Sequence, residues 1–159
     1  MRRLRLVVTP LRILLAVAFA LVVVFQTMSM PGQFAYMAKE NPDLAYLRWP
    51  LTAFAVLELL CVQVVIVCTW KLLAMVKDDR IFSESALAWV DGIVGAIAAA
   101  WLLLLAGFLY VGFTANDPGL PLLLFLLVVA GAVFGLLMLV MRDLLRKATT
   151  LRVDLEAVI

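Results

Sequence analysis

Few side chains in this sequence are suited to chemistry. None of the 159 residues is a histidine, which removes the side chain most often used as a metal ligand and general base. A His/Cys zinc site and a Ser–His or Cys–His catalytic pair are therefore excluded within this chain. Cys61 and Cys68 are separated by about 10.5 Å of helix, too far for a disulfide between them. We predict a protein that is not an enzyme, with no catalytic residues, metal site or cofactor.

Glu58 is the most informative polar residue, because it lies inside a strongly apolar stretch, about 13 Å of helix beyond Trp49. A carboxylate within a bilayer is costly and usually faces a helix bundle interior or a cavity. No Lys or Arg occurs at a matching depth, so we expect a protonated Glu58 that is hydrogen-bonded to Gln26, Thr27 or Tyr110. Two alternatives stay open: a structural hydrogen bond between helices, or a proton- or cation-responsive site.

Two other polar residues lie in or beside apolar segments. Gln63 is about 140° around a helix from Glu58, and we expect it to make an interhelical hydrogen bond. Asp91 lies near the start of the third apolar segment, roughly two turns beyond Glu84. We expect it to pair with Arg12 or Lys71, because these residues come close to the same membrane face in the topology predicted below.

The composition assigns the chain to a membrane. Hydrophobic residues make up 67% of it and charged residues 15%, whereas a soluble domain has roughly 25% charged residues. Four apolar segments are each long enough to cross a hydrocarbon core, which takes about 20 helical residues. They cover residues 11–30, 51–75, 86–114 and 120–141. We predict one all-α domain over residues 1–159, an integral membrane four-helix transmembrane bundle.

Polar interruptions between these segments predict turns, at Pro31-Gly32, at residues 77–80 and at residues 116–119. Ser83 is the expected N-cap of the third helix. The first segment begins with basic residues, as a signal peptide does, but its apolar run is longer than a 7–15-residue signal core. We therefore expect an uncleaved first helix.

The basic residues predict the orientation. Of the 13 Lys and Arg residues, only Lys39 and Arg48 fall on one side of the predicted spans. The other eleven fall on the opposite side, near the N-terminus, in the middle loop and in the tail. Basic residues accumulate on the cytoplasmic side of membrane proteins. We predict a multi-pass protein of the plasma membrane with both termini in the cytoplasm.

Residues 142–159 predict a short cytoplasmic helical extension of the fourth span. An apolar stripe runs along it, and basic residues occupy the rest of its surface. The stripe consists of Leu144, Leu145, Ala148, Leu151 and Leu155, and the basic residues are Arg142, Arg146, Lys147 and Arg152. Such a helix suits contact with anionic lipid or the docking of a partner.

Small residues at helical spacing predict where helices pack. Gly131 and Gly135 form a Gly-x-x-x-Gly pair in the fourth span. Small side chains let helix backbones approach closely in lipid. We expect packing within the chain at this pair, with a homo-oligomer interface as the alternative.

Two stretches resemble a bacterial family of small four-helix membrane proteins of unknown function. Residues 76–86 include Asp79-Arg80-Ile81-Phe82-Ser83, which is similar to the family's D/G-x-x-F-S/T pattern before the third helix. Residues 148–159 resemble its leucine-rich close, which ends in acidic residues and an isoleucine. The resemblance implies no activity and no catalytic residues. It does imply a gene beside a small helix-turn-helix regulator.

Two functions remain as expectations. The first is a non-enzymatic membrane protein that acts as partner or sensor for a small cytoplasmic transcription regulator and does not bind nucleic acid itself. Its partner face would include Phe82, Ser83, Arg146 and Arg152. The second is a small transporter, or a subunit of an oligomeric one, that uses Glu58.

Overall fold

The computed structural model describes residues 2–158, and all of its regular structure is helical. The five α-helices are α1 (Arg2–Val24), α2 (Met30–Glu40), α3 (Arg48–Lys77), α4 (Glu84–Thr114) and α5 (Gly119–Val158). A π-helical turn, Phe25–Ser29, joins α1 to α2, and a 3₁₀-helix, Pro42–Leu47, leads into α3. Together they form four long rods whose most apolar windows have mean hydropathies of 2.3 to 3.0. Each rod is long and apolar enough to cross a membrane, as the sequence predicts.

The first rod does not turn at Pro31-Gly32, and that prediction is wrong. Inside an α-helix, Pro31 removes a backbone hydrogen bond and its ring clashes with the carbonyl of Thr27, four residues earlier. The chain widens to a π-helical turn just ahead of it, where the Met30 N–H bonds to the carbonyl of Phe25. The wider turn accommodates the proline, so the helix continues to Glu40.

The rods lie in an open row. α3 packs against α4, and α4 packs against α5, while α1 and α2 pack on α3. Among the described residues, neither α1 nor α3 packs against α5. The four rods therefore form an open bundle, with α1 and α5 at its two edges. Because α3 and α5 do not meet, a groove remains between them along α4.

Small residues and one part-buried hydrogen bond hold α4 against α5. A Cβ added at Gly131 would come within 3.0 Å of Cδ1 of Trp101, and one at Gly135 within 3.5 Å of Ile97. The indole N–H of Trp101 donates to the carbonyl of Val128 at 2.9 Å. The Gly-x-x-x-Gly pair thus serves packing between α4 and α5, which confirms the expectation of packing within the chain.

The turn between α3 and α4 has a defined geometry. Asp79 has a positive φ of 58°, the left-handed conformation that usually follows a helix C-terminus. The Arg80 N–H bonds to the carbonyl of Met75 at 2.8 Å, and the Asp79 N–H bonds to that of Val76 at 3.3 Å. These are the two bonds of a Schellman motif. The Ser83 hydroxyl then accepts from the Ala86 N–H as N-cap of α4, as predicted.

Candidate functional site

The Glu58 side chain opens into the groove along α4. With Cys61, one turn later on α3, it lines a space of about 270 Å³ between α3, α4 and α5. Ala100 and Trp101 of α4 and Phe134 of α5 are among the apolar residues around it. The Oε1 atom of Glu58 is buried and has no hydrogen-bond partner among residues 2–158.

The expected partners of Glu58 lie elsewhere, and the predicted hydrogen bond is wrong. The Thr27 hydroxyl donates to its own helix, at the carbonyl of Val23, 2.9 Å away. Tyr110 is 49% exposed on α4. Gln26 contacts α3, but at a different face from Glu58. The arrangement leaves the carboxyl directed at the groove and not at α1.

Two glutamines join α1 to α3 within the apolar region. Gln63 Nε2 donates to Gln26 Oε1 at 2.7 Å, and Gln26 Nε2 donates to the carbonyl of Val56 at 3.2 Å. The interhelical hydrogen bond predicted for Gln63 is therefore confirmed. Gln26 belongs to the π-helical turn, so the same widening that accommodates Pro31 also positions this amide against α3.

Asp91 pairs with Arg142 of α5, where the Arg142 Nε donates to Oδ1 of Asp91. The prediction of Arg12 or Lys71 as its partner is wrong. Arg12 lies on α1, which does not pack against α4, and its guanidinium lies 5.0 Å from the centre of the Trp70 ring. The Lys71 ammonium lies 6.0 Å from the centre of the Trp89 ring. Both cations therefore lie over aromatic rings, an attractive arrangement.

A second cluster lies at the far end of α5, where its extension meets the turn between α3 and α4. Arg152 Nη2 is 3.7 Å from Oδ2 of Asp79. The Arg152 guanidinium lies 5.8 Å from the centre of the Phe82 ring. Thr149, one turn before Arg152, is 95% buried against this junction, with 5% of its surface exposed. We call this assembly of Asp79, Phe82, Thr149 and Arg152 the turn–tail cluster.

The turn–tail cluster contains part of the partner face predicted from sequence. Phe82, Ser83 and Arg152 line one depression of about 370 Å³ there, beside Asp79 and Glu84. Arg146 is exposed and is not among the residues that line it. The structure thus brings three of the four predicted residues together.

Sequence reasoning missed two residues that complete these sites. Arg142 was not considered as the partner of Asp91, although it is the first basic residue after the fourth apolar segment and so has a matching depth. Asp79 was interpreted as part of a turn and of the family pattern, and not as a partner of Arg152. The pairing of Asp79 with Arg152 requires α5 to extend as a helix beyond the fourth apolar segment. The structure shows that α5 continues as one helix to Val158.

Comparison with known families gives a match over most of the chain. Residues 32–159 match the model of a family described as "Protein of unknown function (DUF2975)". The chain belongs to the DUF2975 family. The matched residues include Glu58, Asp91 and the turn–tail cluster, whereas Gln26 precedes them. Ile159, which ends the resemblance noted from sequence, lies outside the described residues. No curated protein and no solved structure shows significant similarity to the chain.

Proposed function

We propose that this DUF2975 protein is a non-enzymatic, multi-pass protein of the plasma membrane that holds a partner protein at its cytoplasmic end. The distribution of Lys and Arg supports an orientation with both termini and the α3–α4 turn in the cytoplasm. In that orientation the turn–tail cluster and the extension of α5 face the cytoplasm together.

The observation that carries the proposal is that Arg152 joins the turn and the tail into a single surface. An unpartnered apolar row continues along α5 beside it: Leu144, Leu151, Leu155 and Val158 are 54%, 63%, 65% and 85% exposed. Their spacing of seven, four and three residues places them on one helix face. Such a row suits a helix of a partner protein, which would bury these side chains.

The partner we propose is a small helix-turn-helix transcription regulator. The support for this class is the resemblance, which implies a neighbouring gene of that type. The membrane protein would hold or sense for the regulator and would not contact nucleic acid itself.

Affinity purification from native membranes in mild detergent, followed by mass spectrometry, tests this function. We expect a small DNA-binding protein in stoichiometric amounts with the full chain. Leu155→Glu should lose it, because the substitution places a carboxylate in the centre of the apolar row. Thr150→Glu is the matched control, since Thr150 is exposed on another face of the same helix. Recovery of the chain alone, or retention of the regulator by Leu155→Glu, contradicts the proposal.

A second candidate function is transport, as a small permease or one subunit of an oligomer. The observation that favours it is the Glu58 carboxyl, whose Oε1 is buried without a partner at the edge of a groove. Intramembrane acids commonly mark the paths of ions and substrates. In reconstituted vesicles, Glu58→Gln should abolish flux while the protein inserts and folds as before. Equal flux by both proteins would exclude this role for Glu58.

A further inference from the structure

The groove beside Glu58 extends along α4, and among residues 2–158 Glu58 is the one carboxylic acid that lines it. On α4 its lining extends from Ala96 to Leu104, about 12 Å of helix. Glu58 lies 19 residues before the end of α3, and Leu104 lies 20 residues after the start of α4. The two helices are antiparallel neighbours, so Glu58 is level with Leu104. The rest of the groove continues away from the carboxyl toward Ala96.

The lining of the groove combines the Glu58 carboxyl with apolar and aromatic side chains. In the part of the chain that the structure describes, no Lys or Arg lines the groove, so a Glu58 carboxylate that ionises there needs a positive partner from outside the chain. Mg²⁺ and Ca²⁺ require about six or more oxygen ligands, and one carboxyl does not supply them. An ammonium group needs only one acid, and the aromatic rings of Trp101 and Phe134 also attract cations.

The walls select for a narrow apolar chain. Ala96 and Ala100 have the smallest side chains that a helix can present apart from glycine, and both line the α4 side of the groove. The groove exists because α3 and α5 do not pack together. A chain lying in it would contact all three helices at once.

We propose that this groove binds a linear alkylammonium, with its cationic head at Glu58 and its alkyl chain along α4 toward Ala96. The inference rests on the second candidate function and names the substrate class for it. Head and chain have separate determinants: the carboxyl binds the charge, and the alanines provide the space.

The interaction between the cationic head and Glu58 is tested by equilibrium binding of radiolabelled dodecyltrimethylammonium to the purified full chain in dodecyl maltoside micelles. We expect saturable binding of one cation per chain. Dodecyl maltoside has the same alkyl chain but no charge, so its large excess should not prevent this binding. Glu58→Gln should weaken binding about tenfold or more, the factor expected for losing an interaction with a charged group. Glu84→Gln, the same change at the exposed start of α4, should leave binding unchanged. Equal binding by wild type and Glu58→Gln overturns the proposal.

A groove-filling variant tests whether the alkyl chain lies beside the alanines of α4. Ala100→Phe should weaken binding about tenfold or more, because its ring occupies the path of the alkyl chain. Ala99→Phe is the matched control, because Ala99 is exposed on the same helix and does not line the groove. Should Ala100→Phe fail to fold, a series of shorter alkylammonium probes replaces it. Affinity that does not fall with chain length overturns the proposed position of the chain.

A second copy of the protein is the other candidate to cover the groove. Cys61 lines it, so oxidation in native membranes should then give a Cys61–Cys61 cross-link that Cys61→Ser abolishes. An efficient cross-link together with no saturable cation binding overturns the proposal. Failure of the transport function has a different signature. If the cation binds in a Glu58-dependent way but vesicles show no flux, the proposed binding site stands and the transport function is excluded. If vesicles show flux but Glu58→Gln binds the cation as well as wild type does, the proposed binding site is excluded.

Discussion

Gly131 and Gly135 are one turn apart on α5, yet alanine at the two positions should have opposite effects on stability. At Gly131 the added methyl group would be 3.0 Å from Cδ1 of Trp101, well inside the optimal carbon–carbon separation of about 3.5–4.0 Å. The indole cannot simply move aside, because its N–H donates to the carbonyl of Val128 at 2.9 Å. At Gly135 the nearest atom, in Ile97, is 3.5 Å away, which is an ordinary contact.

The expected magnitudes follow from these distances. Overpacking of this kind costs about 1–3 kcal/mol, and replacing glycine by alanine inside a helix returns up to about 1 kcal/mol. With the full gain from alanine subtracted, Gly131→Ala should therefore destabilise the fold by up to about 2 kcal/mol. Gly135→Ala should be neutral or stabilise it by up to about 1 kcal/mol.

Reversible unfolding in mixed micelles of dodecyl maltoside and sodium dodecyl sulfate, followed by far-ultraviolet circular dichroism, measures both free energies. Trp101→Phe serves as the control background, because its ring lacks the N–H that bonds to Val128 and can turn away from the added methyl group. There the effect of Gly131→Ala should fall by at least half. Equal unfolding free energies for the two alanine variants, or an undiminished effect in the Trp101→Phe background, would refute the reasoning.

Three further expectations concern the polar contacts. Asp91→Arg and Arg142→Asp should each lower the unfolding temperature, and the two together should restore part of the loss, which thermal denaturation would show; an additive loss would contradict the pairing. Gln26→Leu and Gln63→Leu should show a coupling energy of about 1 kcal/mol in a double-mutant cycle, and a coupling energy of zero would show that the two amides do not interact. Arg152→Ala should increase amide hydrogen exchange at the end of α5 and in the α3–α4 turn together, whereas faster exchange at only one of them would show that Arg152 does not link them.

The positions of the four rods could be predicted from sequence because the length of an apolar run is a local property. The continuation of the first rod through Pro31 could not. A proline signals that the regular α-helical bond is lost, but whether the chain turns or widens depends on what its neighbours offer. Here Gln26, at the widened turn, bonds to α3, and a turn before Pro31 would displace it.

The polar contacts were harder to predict because they depend on which helices are neighbours. Depth along a span can be read from the sequence, and it placed Asp91 level with several basic residues. Only the order of the row selects among them: α4 adjoins α5 and not α1, so Arg142 is within reach and Arg12 is not. The same order directs Glu58 toward an open groove, whereas a closed bundle would have surrounded it with partners.

The uninterrupted length of α5 has a mechanical consequence. At 40 residues it is about 60 Å long, twice the thickness of a hydrocarbon core. It has no proline after its first turn and no bulge, so it transmits tilt as a rigid lever. Arg152 is about 31 Å along the axis from Gly131, so a tilt of about 10° at Gly131, well within the range seen for membrane helices, displaces Arg152 by about 5 Å. Such a tilt of α5 therefore moves Arg152 relative to Asp79 by more than the 3.7 Å that separates their charged groups.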